Sequence, residues 1–275
     1  MKLSVFHHHA LAAAAEAGKE AEEGYAYLLS CGIEAVTLDL AECMKDPTLT
    51  ARLRRAGLRI SAINGYYQFP GEEERIRTHL QIAADAGAAG IMMIPGFFEK
   101  GEVPEEVFAD ETACHAFFDR SEKTAAMCEG MAYAIRQANG RLFVSVEDYD
   151  SETSPTRNMA GLSWFMQRLP GLGFSLDTGN FAFSGEDAEA ALRKFGSRIV
   201  DVHVKDRGAE PGHRVGYNRG LRPVAVGDGY LPVAAIVGRL LRQGYDGYFT
   251  IEHFGVADYR QAIAASADFL RAAAR

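Results

Sequence analysis

The sequence predicts an α/β fold, a (β/α)8 TIM barrel filling one domain over residues 1–275, and three observations carry that prediction. Eight short strand-like runs alternate with eight helical runs over 275 residues, close to the roughly 250 typical of the architecture. Most helical runs stop at a glycine (Gly32, Gly57, Gly87, Gly140, Gly196 and Gly244), as helices do when the chain must leave the helical conformation. In the last four strands, polar and apolar side chains alternate, so one face is ionisable or hydroxylic and the other is apolar. An open doubly wound sheet is the alternative. It would more often carry a Gly-rich phosphate turn after its first strand, where this chain has His7-His8-His9.

The elements follow in order. Residues 2–6 make a short first strand, and the Ala-rich residues 10–17 a short helical or loop segment. Residues 20–31 have helical composition and period up to Gly32. Residues 35–40 form the second strand, with Thr37 and Asp39 on one face. Residues 48–56 are helical, and the isoleucine-rich residues 58–64 are the third strand. A helix over 72–86 leads to a fourth strand over 90–94, stopped by Pro95-Gly96. One long helical region covers 110–139, followed by a fifth strand over 141–147. A helix over 158–169 is bounded by Pro170, and a sixth strand covers 172–177. Residues 187–195 are helical and residues 199–204 the seventh strand. A helix over 231–243, an eighth strand over 248–252 and a closing helix over 258–274 complete the chain.

Composition narrows the function classes. Hydrophobic residues make up 48% and charged residues 24%, which suits a soluble domain with a sizeable core. A net charge of −8 argues against broad attraction to nucleic acid or an anionic membrane surface. No apolar run is long enough for a transmembrane helix, and the N-terminus lacks the apolar stretch of a secretory signal. Cys31, Cys43, Cys114 and Cys128 form no CxxC pair, so they read as reduced thiols of a cytoplasmic protein. Nothing in the composition speaks for or against a homo-oligomer.

The stretch from Asp201 to Arg207 organises the rest. Asp201, His203 and Lys205 share one strand face, and Val200, Val202 and Val204 the other. The fifth, sixth and eighth strands repeat the pattern, with Ser145 and Glu147, Ser175 and Asp177, and Thr250 and Glu252 facing one way. In a barrel the C-terminal strand ends form the catalytic face. Glu147, Asp177, His203 and Glu252 therefore converge there. Three carboxylates and an imidazole so placed repel and desolvate one another unless a cation joins them. The donor set is oxygen-rich with one nitrogen, which suits one divalent metal ion, Mn²⁺, Mg²⁺, Co²⁺ or Zn²⁺. Each residue alone reads more readily as a salt-bridge or hydrogen-bonding residue. Four at one level on adjacent strands do not.

Those residues also carry a family resemblance. Glu147-Asp148, Leu176-Asp177-Thr178-Gly179-Asn180, His203-Val204-Lys205-Asp206 and Ile251-Glu252-His253 resemble motifs of the sugar phosphate isomerase/epimerase family, part of the xylose isomerase-like TIM barrel superfamily. The resemblance covers strands five to eight and is vague over the first hundred residues. It implies metal ligation by Glu147, Asp177, His203 and Glu252, and proton transfer by Glu147 and Glu252. Several sugar epimerases of the family carry a substrate-contacting histidine where this chain has Asn180, so their sugar specificity does not transfer.

Other residues complete the expected pocket. Lys205 lies one step nearer the mouth than His203, placed to polarise a substrate oxygen or to form a rim salt bridge. Asp206 points away as a loop anchor, and His253 faces the helix layer. Residues 207–230 are too long for an ordinary connection and read as a lid. Between Lys205 and Arg222, five basic residues, including Arg207 and Arg214, stand against two acidic ones, which suits an anionic or polyhydroxyl ligand. The turns at 64–67 and 95–98 bring aromatics, Tyr66 among them, to the rim, and His7 ends the first strand within reach of the pocket.

The expected function is a metal-dependent isomerase or epimerase of a small carbohydrate, working by proton transfer through an enediolate. A lyase, such as a polyol or inosose dehydratase or a C-glycoside-cleaving enzyme, uses the same first step. A sugar-binding barrel without catalysis is a third reading. A DNA repair endonuclease of the same superfamily is disfavoured, because Asn64 and Pro95 stand where its further histidines are expected.

Overall fold

Parallel strands alternate with helices along the whole chain in the computed structural model, which describes residues 1–209 and 222–275. The order is β1 (Lys2–Phe6), α1 (His7–Glu16), α2 (Ala21–Ser30), β2 (Ala35–Asp39), α3 (Leu40–Lys45), α4 (Leu49–Arg55), β3 (Arg59–Tyr66), α5 (Glu73–Ala86) and β4 (Gly90–Ile94). It continues with α6 (Glu105–Phe108), α7 (Glu111–Phe118), α8 (Glu122–Ala138), β5 (Phe143–Glu147), α9 (Met159–Arg168), β6 (Gly173–Asp177), α10 (Ala188–Phe195) and β7 (Ile199–Val204). The last elements are β8 (Asp206–Gly208), β9 (Arg222–Val224), α11 (Val233–Arg242), β10 (Tyr248–Ile251) and α12 (Tyr259–Ala273). Eight of the strands close a barrel in the order β1-β10-β7-β6-β5-β4-β3-β2, all neighbours parallel. All eight C-terminal ends therefore open on one face, as the (β/α)8 prediction requires.

Alternation does the sorting. Val144, Val146, Phe174, Leu176, Val202, Val204, Phe249 and Ile251 are buried in the core between barrel and helices. Their neighbours along each strand turn inward and meet as hydroxyls. Ser61 Oγ lies 2.8 Å from both Ser4 Oγ and Thr37 Oγ1, and Thr37 Oγ1 lies 3.2 Å from Thr250 Oγ1. Ser145 and Ser175 pair at 2.8 Å on the other side. Small hydroxylic side chains fill the narrow interior and satisfy one another there.

Four departures from the predicted elements have physical reasons. The first helix begins at His7, directly after β1, with no connecting loop. Residues 40–45 form a helix, α3, whose first turn is fixed when Glu42 Oε2 accepts the Asp39 amide at 3.1 Å. The long helix expected over 110–139 is broken. Ser121 caps α8 by accepting the Thr124 amide, and Asp119 leaves the helical run to accept the Trp164 indole N–H at 2.9 Å. β3 does not turn at Asn64 but runs to Tyr66. Within it, Val36 and Leu38 on β2 pair with Ile60 and Ile63, so β3 holds one extra residue. That bulge changes which side chains face inward: Ser61 does so before it and Asn64 after it.

β3 also shows a group that ties folding to pH. His79 on α5 is fully buried; Nε2–H donates to Ile63 O at 3.0 Å and Nδ1 accepts from Tyr67 O–H at 2.7 Å. Burial pushes its pKa down to about 3. The folded state therefore holds this ring neutral, while the unfolded chain protonates it near 6.5. The contribution is fully present above pH 6.5 and is lost as pH falls, by about 2 kcal/mol at pH 5. Urea unfolding at pH 7 and pH 5 should show this loss in the wild type. His79→Gln, uncharged at both values, should show a loss smaller by that amount. Equal losses in both proteins would remove His79 as the source.

Candidate metal centre

Four strand ends bring the expected cluster together. Glu147 ends β5, Asp177 ends β6, His203 lies in β7 opposite Asp177, and Glu252 follows β10 directly. One donor atom of each lies within 4.8 Å of the others, and all four side chains are buried. His203 Nδ1 is 2.5 Å from Glu147 Oε1 and 3.4 Å from Glu252 Oε2, so this nitrogen faces the cluster. Its Nε2 lies 3.3 Å from Asp201 Oδ2, within ion-pair reach though not aligned as a hydrogen bond. Ser175 donates to the same Asp201 oxygen at 3.3 Å. Asp177 Oδ1 accepts the amides of Gly179 at 2.6 Å and Asn180 at 2.9 Å, leaving Oδ2 to face the cluster. Asp148, fully buried, accepts the Asp177 amide at 3.0 Å and so fixes that strand end from behind.

Lys205 completes the arrangement. Its ammonium lies 2.5 Å from Glu252 Oε1 and 3.2 Å from Asp177 Oδ2, and donates to Asn180 Oδ1 at 2.6 Å. The stem reaches the site across Gly179, where an added Cβ would lie 2.9 Å from Lys205 Cγ. Only a glycine leaves the lysine that path.

The electrostatics show a site in want of positive charge. Burial pushes the Asp177 carboxyl up to about 7. Burial likewise raises Glu147. Burial acts on Glu252 too, but the neighbouring Lys205 and His203 outweigh it and hold that carboxyl below the usual range. Burial opposes charge on His203 and Lys205, yet the surrounding carboxylates keep both pKa values well above their ordinary values. Protons on these two residues thus do the compensating. Even so, Asp177 Oδ2 and Glu252 Oε2 are buried with no aligned hydrogen bond among the described residues, and meet Lys205 and His203 only as ion pairs at 3.2 and 3.4 Å. Oxygens so placed cost stability unless a cation or donor meets them. Three hard oxygens, two of them without an aligned hydrogen bond, and one imidazole nitrogen fit a divalent ion.

The cluster forms one wall of a cavity of about 490 Å³ at the barrel mouth, large enough for a small ligand. Asn180, Arg207 and Tyr66 line it, as expected. Arg207 pairs with Asp150, and Tyr66, half exposed, lies 3.1 Å from Tyr149 through the two hydroxyls. Of the two rim pairs, Tyr66 and Phe97 are exposed while Tyr67 and Phe98 are buried in packing. Arg214 and half of the expected lid, residues 210–221, lie outside the described residues. Its described ends pair as antiparallel β8 and β9. Asp206 is the loop anchor expected: its carboxylate accepts the amides of Gly227, Gly229 and Leu231.

His7 is placed otherwise than expected. It does not line the cavity, because α1 starts there and turns the ring sideways. Nδ1 pairs with Glu42 Oε1 at 2.7 Å and Nε2 with Tyr25 O–H at 2.9 Å. His8 lines the cavity instead. His253 stacks on His9 with centroids 4.9 Å apart, and its ring also borders the cavity. Sequence reasoning missed Glu42, Asn64, His8, Tyr149 and Phe254 as lining residues. Asp39, recognised as sharing a face with Thr37, could have been followed there. Asn64 could not, because the bulge that turns it inward leaves no mark in the alternation.

Comparison with known proteins agrees with this geometry. The family described as xylose isomerase-like TIM barrel matches residues 11–273. No curated protein matches the chain. A D-allulose 3-epimerase from Methylomonas sp. superposes with a TM-score of 0.71 at 15% identity, covering 99% of this chain and 98% of that one. The IolI protein, solved with a bound zinc atom, gives 0.70 at 14% identity, with 100% and 98% covered. A probable 3-DHS dehydratase of petrobactin synthesis from Bacillus anthracis gives 0.67 at 16%, with 98% and 99% covered. At such identities the likeness is one of fold.

Proposed function

Because the chain belongs to the xylose isomerase-like TIM barrel family, we propose that it is a metal-dependent isomerase or epimerase of a sugar or sugar derivative. The observation that carries this reading is the buried Glu147–Asp177–His203–Glu252 cluster opening on the cavity. Those four residues would hold the ion. When bound, a divalent cation polarises a carbonyl oxygen and so acidifies the adjacent C–H.

The chain supplies the proton chemistry. Glu147 ends β5 and Glu252 follows β10, strands separated in the barrel by β6 and β7, so they approach a shared substrate carbon from different directions. One carboxylate removes the proton and the other returns it, the arrangement that inverts a centre or moves a carbonyl. Lys205 and Asn180 donate to substrate oxygens from the same wall. Arg207 and Tyr66 close it laterally. The apolar Met92, Ile94 and Phe6 side chains limit water beside the reacting carbon. The structural neighbours above include a D-allulose 3-epimerase and a probable 3-DHS dehydratase, and the proton abstraction proposed for this chain is a first step that would suit either type of reaction.

A second reading, a lyase, is favoured by one feature. The Lys205 ammonium sits 2.5 Å from the Glu252 carboxylate, a cationic acid beside a base, able to protonate a departing hydroxyl. The test is a screen of ketoses, inososes and keto-glycosides in D₂O with protein whose metal content has been measured. Expected are bound divalent metal and solvent deuterium in recovered sugar at the attacked carbon. Loss of water or of an aglycone would move the assignment to the lyase. No exchange with any sugar at full metal loading would end both.

A further inference from the structure

The wall facing the cluster is also built for a ligand. Strands four places apart in a closed eight-stranded barrel lie opposite each other, which sets β2 against β6 and β3 against β7. Asp39 at the end of β2 and Asn64 on β3 pair in register and both line the cavity. Asn64 is 3% exposed, and its Oδ1 has no hydrogen-bond partner among the described residues. Glu42, one turn into α3, lines the same wall. Its carboxylate is aimed by two bonds, from His7 Nδ1 and from the Asp39 amide, and His7 is in turn held by Tyr25.

The ionisable groups that line this wall, Asp39 and Glu42, are carboxylates, and Asn64 adds an acceptor at Oδ1 beside the N–H donors of its amide. No lysine or arginine among the described residues forms an ion pair with Asp39 or Glu42; Lys205 and Arg207 are engaged by Asp177, Glu252 and Asp150 on the other side. Burial, and then Glu42, already push the Asp39 carboxyl up to about 6, so the wall resists more negative charge. An unpaired buried acceptor beside two carboxylates asks for hydroxyl donors and repels anions.

We propose that Asp39, Glu42 and Asn64 form a distal subsite that takes the hydroxyl-bearing end of a neutral sugar and excludes a phosphate ester there. This rests on the sugar-active reading and narrows its substrate class. The hydroxyls at the end of the carbon chain remote from the carbonyl donate to Asp39, Glu42 and Asn64 Oδ1, while the carbonyl end meets the cluster opposite. His7 is a positioning residue that acts through Glu42.

The test is titration calorimetry on Mn²⁺-loaded protein with neutral ketohexoses and their 6-phosphate esters. The neutral sugars should bind at least about tenfold more tightly, and in the Asp39→Asn/Glu42→Gln variant the gap should narrow to about threefold. Metal content at the wild-type level shows that the cluster opposite is intact in the variant. Esters binding as tightly as the neutral sugars, or a gap unchanged in the variant, would overturn the subsite. Deuterium exchange with the esters alone would do the same and leave the sugar-active reading standing. No binding and no exchange with either class would take both down.

Discussion

Glu147→Gln and Glu252→Gln each lower turnover by about 10² to 10⁴-fold while the protein keeps its metal. The range is what a positioned general base contributes, roughly 3 to 5.5 kcal/mol of barrier. Glutamine keeps the length and one oxygen donor but removes the base. Both positions are buried and hydrogen-bonded, so the replacement amide stays in place. The two variants should differ in one respect. If each glutamate serves one face of the substrate carbon, one variant loses exchange from one epimer and the other variant from the opposite epimer. Metal analysis must accompany the kinetics, since loss of the ion alone also abolishes turnover. Near-normal turnover with metal retained would show that the proton moves elsewhere, with Lys205 the next group to test.

Metal-free Lys205→Met should unfold about 3 to 5 kcal/mol more easily than the metal-free wild type near pH 8. That is the scale of leaving a buried charge without its partner. Lys205 is 6% exposed and is shared between Glu252 and Asp177, so both carboxylates lose their cation at once. The loss should shrink as pH falls toward about 7, because Asp177, at about 7 with Lys205 beside it, is pushed higher without that cation and takes up a proton in its place. Saturating Mn²⁺ should recover more stability in the variant than in the wild type, since the ion then supplies the absent charge. Equal metal-free stabilities in urea at pH 8 would show that the carboxylates are neutralised by protons alone.

The sequence made the barrel legible because period-two alternation and glycine stops are local signals. The four-residue cluster was legible for the same reason: β5, β6, β7 and β10 carry alternation up to their ends. What failed to show was whatever depends on register or on contacts distant in sequence. The break between α7 and α8 turns on Asp119 meeting Trp164, a contact between residues 45 apart. His7 was aimed wrongly because nothing in the run His7-His8-His9 tells that a helix starts at once. Asn64 was taken for a turn residue because an asparagine before glycine reads that way. Lys205 was expected one step nearer the mouth. Its use as counter-charge for Asp177 and Glu252 followed from Gly179, whose missing side chain gave no hint of the lysine passing over it.

The extra residue in β3 works as a change of reading phase within one strand. Before it, odd-numbered side chains face the axis; after it, even-numbered ones do. Removing Ala62 would restore a single phase with Ser61 and Asn64 both inward and Ile63 outward, because Asn64 stays paired with Asp39. Paired without the bulge, the same residues would instead set Ile63 beside Asp39, so an amide would give way to a sec-butyl group by a change in register rather than in composition. The chemistry at this mouth is thus set partly by where the strand takes up its extra residue.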